Sequence, residues 1–328
     1  MAGQIFATNS LGGFLYSNQL SSELRTAVQP RTKFRQFSDI KDAAGKNKGQ
    51  TFTWDVVSNV ATKGTTLVET NTMPESQFTI TQGTLTVNEA GNSIPYSGKL
   101  EDLGQIPVRK PVMQALRNDA VKTFDSLAHA QFKNTLLRIV PTAGTSTTAL
   151  TLTTDGTATL TNNIAFGLNH AKLVVDLMKE RNIPAYEMDD YMAIAWPSTL
   201  RTLKNNLEAV WQYTQEGFAK LYAGAIGRYD NIRYVEQTHI PQGGAENSTT
   251  WNPYTDTADA WDNGLSDWIY FFGEDTVAEG IVVPEEIRAK IPTDYGRSKG
   301  VAWYALLGFG IVHNTAAQSR IVMWNSAV

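Results

Sequence analysis

The chain runs to 328 residues with a net charge of −4 and no cysteine, enough material for one large core or two modest ones. Slight acidity argues against a global basic field that wraps nucleic acid. The lack of cysteine excludes disulfides, thiolate zinc sites and cysteine nucleophiles, and the 18% of charged residues, against about 25% in typical soluble domains, points to surface that meets protein rather than water.

The opening "MAGQIFATNSLGGFLYSNQL" has neither the charged start nor the long apolar core of a signal peptide. Residues 1–48 read as an extended arm with one short helix from Ser21 to Ala27, ending in the polar "KDAAGKNKG". "QTFTWDVV" then alternates, with Phe52, Trp54 and Val56 on one face and Thr51, Thr53 and Asp55 on the other. This is the period of a half-buried strand. A second such run holds Phe78 and Ile80, then Leu85 and Val87, and changes phase near Gly83, where a β-bulge is expected. The two strands and the polar stretch between them make a hairpin far longer than the two to five loop residues of compact hairpins. Such an arm suits a subunit that reaches over a neighbour.

After the linker "GNSIPYSGKLEDLGQI", an apolar stripe of Val121, Phe124, Ala128, Phe132 and Leu136 predicts a long amphipathic helix from about Pro111 to Ile139, with Met113, Leu116 and Ala120 extending it upstream. Pro141 closes it. "TSTTALTLTTDGTATLTNN" reads as a small hairpin turning at Asp155-Gly156. A second helix is expected from Asn163 to Asn182, and "YMAIAW" is a buried strand. A short helix capped by Pro197-Ser198 follows, running to about Asn205, and "NIRYVEQ" and "DWIYFFG" are strands flanking a long exposed loop. The longest apolar run, Val301 to Val312, falls short of the roughly 20 residues a membrane helix needs. The expectation is a soluble, intracellular protein.

Candidate chemistry is sparse. In "GRSKG", Gly296 and Gly300 are separated by three residues, whereas a phosphate loop needs four and then lysine with a hydroxyl residue. A turn is the plainer reading. "GAIGRYDN" at Gly224 is no dinucleotide fingerprint. Asp256, Asp259 and Asp262 lie three apart, not two as in a calcium loop. The histidines at 129, 170, 239 and 313 stand singly, without metal-ligand spacing. Glu187 to Asp190 and the pair Glu285-Glu286 could supply paired carboxylates, but solvated caps are the commoner role. Asn247 matches a glycosylation pattern with nothing else to suggest secretion. No catalytic residue, cofactor or metal is expected.

Three segments carry a family likeness: "VNEAGNSIPYSGKLEDLGQIPVRKPVM", "IGRYDNIRYVEQTHI" and "TDYGRSKGVAWYALLGFGIV". With the order of arm, long hairpin, spine helix and mixed region, nearly the whole chain resembles the major capsid protein of tailed bacteriophages, an α+β protein of the HK97-type fold. The resemblance implies an N-terminal arm at 1–48 and an extended loop at 49–97. It further implies a peripheral domain with the spine helix at 98–162, a mainly axial domain at 163–310 and a return strand at 311–328. It implies a structural, non-enzymatic protein of the virion, assembled in the bacterial cytoplasm. Its partners would be itself in hexamers and pentamers, a separate scaffolding protein, a portal, a cement protein, and packaged double-stranded DNA held without sequence specificity. A nanocompartment shell of the same fold and, more remotely, a hydrolytic enzyme are the alternatives. Some relatives crosslink a loop lysine, and Lys63 lies near the loop tip, though non-covalent assembly is expected. Phe52, Trp54, Phe78 and Ile80 are the expected inter-subunit contacts, and Gly296 and Gly300 the expected bracket of a structural turn, from which Val301, Trp303, Ala305 and Leu307 alternate into the core.

Overall fold

A computed structural model describes residues 29, 31–41, 49–58, 60, 64–70, 72–104, 106–158, 160, 162–211, 227–240, 267–292 and 294–325. In chain order, the strands and helices are β1 (Asp39–Lys41), β2 (Thr51–Val57), β3 (Ile80–Thr86), β4 (Asn88–Ser97), α1 (Gly98–Leu103), α2 (Arg109–Lys133), β5 (Leu137–Pro141), β6 (Leu150–Thr153) and α3 (Leu168–Glu180). There follow β7 (Tyr191–Ala195), α4 (Arg201–Trp211), β8 (Arg228–Tyr229), β9 (Ile232–Glu236), β10 (Ile269–Phe272), β11 (Val277–Ala289), β12 (Ser298–Ile311) and β13 (Ile321–Trp324). The short helix expected at Ser21–Ala27, Lys63 and most of the loop before β10 lie outside the described residues.

The strands form three sheets. Four pair in the order β1-β11-β12-β4, seven in the order β6-β5-β13-β10-β7-β9-β8, and β2 pairs with β3 alone. The spine helix α2 spans 25 residues, about 37 Å at 1.5 Å per residue. Its buried row of Leu116, Ala120, Phe124, Ala128 and Phe132 recurs every fourth residue, the spacing that keeps one face of a helix inward. That row packs on Val301, Trp303, Ala305 and Leu307 of β12, which alternate inward as their period predicts. Val121, assigned to the same row from sequence, is instead exposed. The same core continues onto Tyr270, Phe272, Ile321 and Met323, so α2 lies against both large sheets. The seven-stranded sheet buries its other face under α3 and α4, through residues such as Val174, Met178, Leu203 and Leu207.

Several expectations fail here for local reasons. The spine helix stops at Lys133, and Leu137–Pro141 form β5, because Asn134 ends the helix and the apolar run beyond it is claimed by β13 and β6. The hairpin placed at Asp155-Gly156 is built upstream, between β5 and β6. Gly156, with φ of +82°, merely turns the chain afterwards, its N–H bonding Leu136 C=O at 3.0 Å. The helix expected from Asn163 begins five residues later, at Leu168, and the helix expected to end at Asn205 runs to Trp211.

The division at 162, 163 and 310 also cuts across the sheets. Strands β5 and β6 belong with the seven-stranded sheet, β11 and β12 return to the sheet that carries the spine, and β13 enters the middle of the seven. Residues 31–41 are likewise no free arm. Phe34 is buried among His129, Phe132 and Tyr270, and Phe37 packs on Tyr186 and Phe272. Both Phe34 N–H and Arg35 N–H bond the buried carboxylate of Asp125, at 2.7 and 3.2 Å. The Arg35 guanidinium meets buried Glu279 at 2.9 Å and lies over the Phe124 ring.

His170 fastens the start of α3. Its Nδ1 accepts from Gly167 N–H at 3.2 Å and its Nε2 reaches Ser146 C=O at 3.0 Å, which requires the neutral ring with its proton on Nε2. Burial lowers its pKa from the ordinary 6.5, the bond to Ser146 opposing only in part. The unfolded chain therefore binds this proton more readily, and the contribution, complete above pH about 6.5, is lost progressively below it. His170→Gln should flatten the fall in unfolding midpoint between pH 7 and 5. An unchanged slope would remove His170 from that role.

Candidate assembly interface

Why the long hairpin sits where it does follows from its two faces. Phe52, Trp54 and Val56 alternate inward along β2, opposite Leu85, Gly83 and Thr81 of β3 in unbroken register. There is no bulge at Gly83. The Trp54 ring lies across its cross-strand partner, and a Cβ at Gly83 would sit 2.2 Å from Trp54 Nε1. The phase change read in the sequence is real but has another cause. Leu85 and Val87 face inward, whereas Ile80 faces solvent, and Phe78 beyond it is also exposed.

The inward face is occupied by the same subunit. Leu85, Val87, Ala278 and Val312 form a small core on which Phe52 and Trp54 are half-buried, joined by Val282 and Leu306. Trp54 Nε1 donates to Val312 C=O at 3.1 Å, Thr81 Oγ1 meets Gln318 Oε1 at 3.0 Å, and Asn314 Nδ2 donates to Gln82 C=O at 3.1 Å. Phe52 and Trp54 thus pack in part on their own subunit and remain half-exposed. The hairpin narrows at a neck where Ser58 N–H donates to Thr79 C=O at 2.8 Å and Thr79 N–H returns a bond to Ser58 Oγ at 3.0 Å. Past the neck, every described residue from 64 to 78 is exposed, including Leu67, Val68, Met73 and Phe78. With Val57 and Ile80 these make an apolar outer strip for which this subunit has no cover among the described residues.

The start of β12, at the other end of that strand from the hairpin, explains "GRSKG". Asp294, Tyr295 and Gly296 all have positive φ, and Gly296, at +87°, has open space around it, so backbone conformation is what demands glycine there. Gly300 does not bracket that turn. It is the third residue of β12, and a Cβ there would press to 3.3 Å from Pro95 Cα of β4. The lysine between them is spoken for: Lys299 Nζ lies 2.8 Å from a Glu101 carboxylate oxygen, and this hydrogen bond raises its pKa. The other chemical candidates are also engaged. Glu187 and Asp190 pair with Arg233, Glu286 with Arg288, and Glu285 lies 3.7 Å from Arg35. All four histidines are buried, His129 against the Tyr270 hydroxyl at 2.7 Å and His239 against Asp125 at 3.1 Å. Among the described residues no group of three or more His, Asp or Glu side chains is placed to hold a metal ion, and no helix is long and apolar enough to cross a membrane. Asn247, Asp256, Asp259 and Asp262 lie outside the described residues.

A spine helix on a four-stranded sheet, a second, larger sheet and a projecting two-stranded loop together define the HK97-type capsid fold, an α+β architecture. No family model matches the chain, and no curated protein matches it. The likeness is in three dimensions. The head structure of Helicobacter pylori bacteriophage KHP40 superposes with a TM-score of 0.67 at 13% identity, covering 94% of this chain and 95% of that one. The capsid of cyanophage P-SCSP1u gives 0.66 at 12% identity over 95% and 93%, and that of cyanophage Pam1 0.60 at 14% over the full length of both.

Proposed function

We infer that this chain is the major capsid protein of a tailed phage, a structural subunit that assembles with copies of itself into the icosahedral head around packaged DNA. The observation that carries the reading is the projecting hairpin with its apolar outer strip, on a fold shared end to end with phage capsid subunits. An isolated enzyme gains nothing from exposing Leu67, Val68, Met73, Phe78 and Ile80 along an arm; a shell subunit buries them on a neighbour. Phe78 and Ile80 therefore keep the inter-subunit role expected of them, with Val57 beside them. The sheet bearing α2 corresponds to the peripheral domain and the seven-stranded sheet to the axial domain at hexamer and pentamer centres. A separate scaffolding protein and a portal are the further partners of this reading, and DNA lies against the inner face without sequence readout. Electron microscopy and sedimentation of the purified protein, alone and with its scaffolding protein, test this. Closed shells, tubes or capsomers are expected, and a stable monomer across salt and concentration in both settings would refute it.

A further inference from the structure

The exposed strip can reach a neighbour in one place only if the hairpin leaves its own subunit at a fixed angle. The structure contains a seat for it. Strand β3 crosses over the end of β12 where the sequence reads "GFG". A Cβ on Gly308 would lie 2.2 Å from Thr86 C=O, and one on Gly310 would lie 2.8 Å from Thr84 C=O. Neither glycine has a positive φ, so close approach of two backbones, not turn geometry, is what excludes a side chain. Their partners on β11 are small too, Gly308 standing opposite Gly280 and Gly310 opposite Ala278. Directly opposed residues share a face of a sheet. The four therefore form a flat patch on the side away from α2, rimmed by Val282 and Leu306. The residues after β12 close over the hairpin from the side through the bonds of Val312, Asn314 and Gln318 already described.

We propose that this glycine seat and its clasp are a positioning device that sets the angle of the hairpin to its subunit and thereby the curvature of the assembled shell. The proposal rests on the capsid reading. Movement is then confined to the stretch beyond the Ser58–Thr79 neck, while β2 and β3 move with the body. A Cβ at position 308 meets backbone on the other side, which no rotamer change relieves, so Gly308→Ala must lift β3 from the sheet.

The experiment compares the full-length protein, Gly308→Ala, and the double variant Asn314→Ala/Gln318→Ala, which adds no atom and keeps the proposal testable should the first fail to fold. Two readouts are taken. In unassembled subunits, amide exchange over 81–87 should be about tenfold faster in either variant, the ratio set by losing one or two ordinary hydrogen bonds or their equivalent in packing, and Trp54 emission should shift to the red. In assembly reactions the variants should give particles of altered or mixed diameter, or open sheets, in place of one uniform product. Native exchange at 81–87 with native particle size would overturn the proposal. If the unmodified protein never assembles, the capsid reading fails by that result. The exchange and fluorescence arms still decide whether the seat holds the hairpin.

Discussion

Replacing Phe34 by alanine is expected to destabilise the folded subunit by about 3–5 kcal/mol, the usual range for emptying a fully packed aromatic site. Phe34 is 1% exposed, and its ring lies edge-on to His129 at 4.6 Å and to Tyr270 at 5.5 Å, with Phe132 at 5.6 Å. These neighbours come from α2 and β10, so the cavity would open where the spine meets the seven-stranded sheet. Relaxation cannot fill it easily. The adjoining backbone is held by Asp125, which also accepts from Phe34 N–H and faces buried His239. Asp125→Ala should therefore cost a comparable amount, because it strands the buried Phe34 N–H, the part-buried Arg35 N–H and the buried imidazole together. Urea unfolding at constant m-value measures both. A loss below about 1 kcal/mol for Phe34→Ala, a surface-like value, would mean that residues 31–41 rest on a body already complete without them.

That result bears on what sequence reasoning can and cannot reach. Alternation at Phe52, Trp54 and Val56, and again at Val301 to Leu307, identified strands and their inner faces, because period two is a local property of a chain. The spine helix was legible for the same reason. What covers an inner face is not local. Nothing near Phe52 or Trp54 reveals that Leu306 and Val312 lie beneath them, so their packing within the subunit is not legible from the sequence. The stretch "GNSIPYSGKLEDLGQI" reads as a linker because Asn92, Ser93 and Ser97 are polar, yet its first seven residues, Gly91 to Ser97, belong to β4, an edge strand with half of its residues exposed. Strand β11 escaped notice through Pro284, which breaks the pattern. Proline has no N–H to donate, and the register shifts between Val283 and Glu286 accommodate it. The glycines at 308 and 310 were visible as letters, but their reason is a carbonyl more than two hundred residues earlier in the chain.

The second large effect concerns the hairpin beyond its neck. Substituting a two-residue Asn-Gly turn for residues 59–78 should leave the unfolding free energy within about 0.5 kcal/mol of the original and abolish or strongly weaken shell formation. Two observations support the first half. The described residues of the tip are exposed, and the Ser58–Thr79 pair continues the β2–β3 register, so it can flank a tight primed turn without strain. The second half follows from energetics. Ordering backbone costs about 1–2 kcal/mol per residue, and the tip buries too little on its own subunit to offset that. Laid on a neighbour, Leu67, Val68, Met73 and Phe78 would each contribute about 1.5–3 kcal/mol on full burial. Hydrogen exchange separates the two regions. Amides of β2 and β3 should be protected in free subunits as well as in particles, since Trp54, Thr81 and Gln82 are already tied to residues 312–318. Amides from 64 to 78 should exchange freely in subunits and slow only on assembly. Protection there that is equal in both states would place the tip on its own subunit, and full assembly of the shortened variant would show that the strip is not what joins the copies.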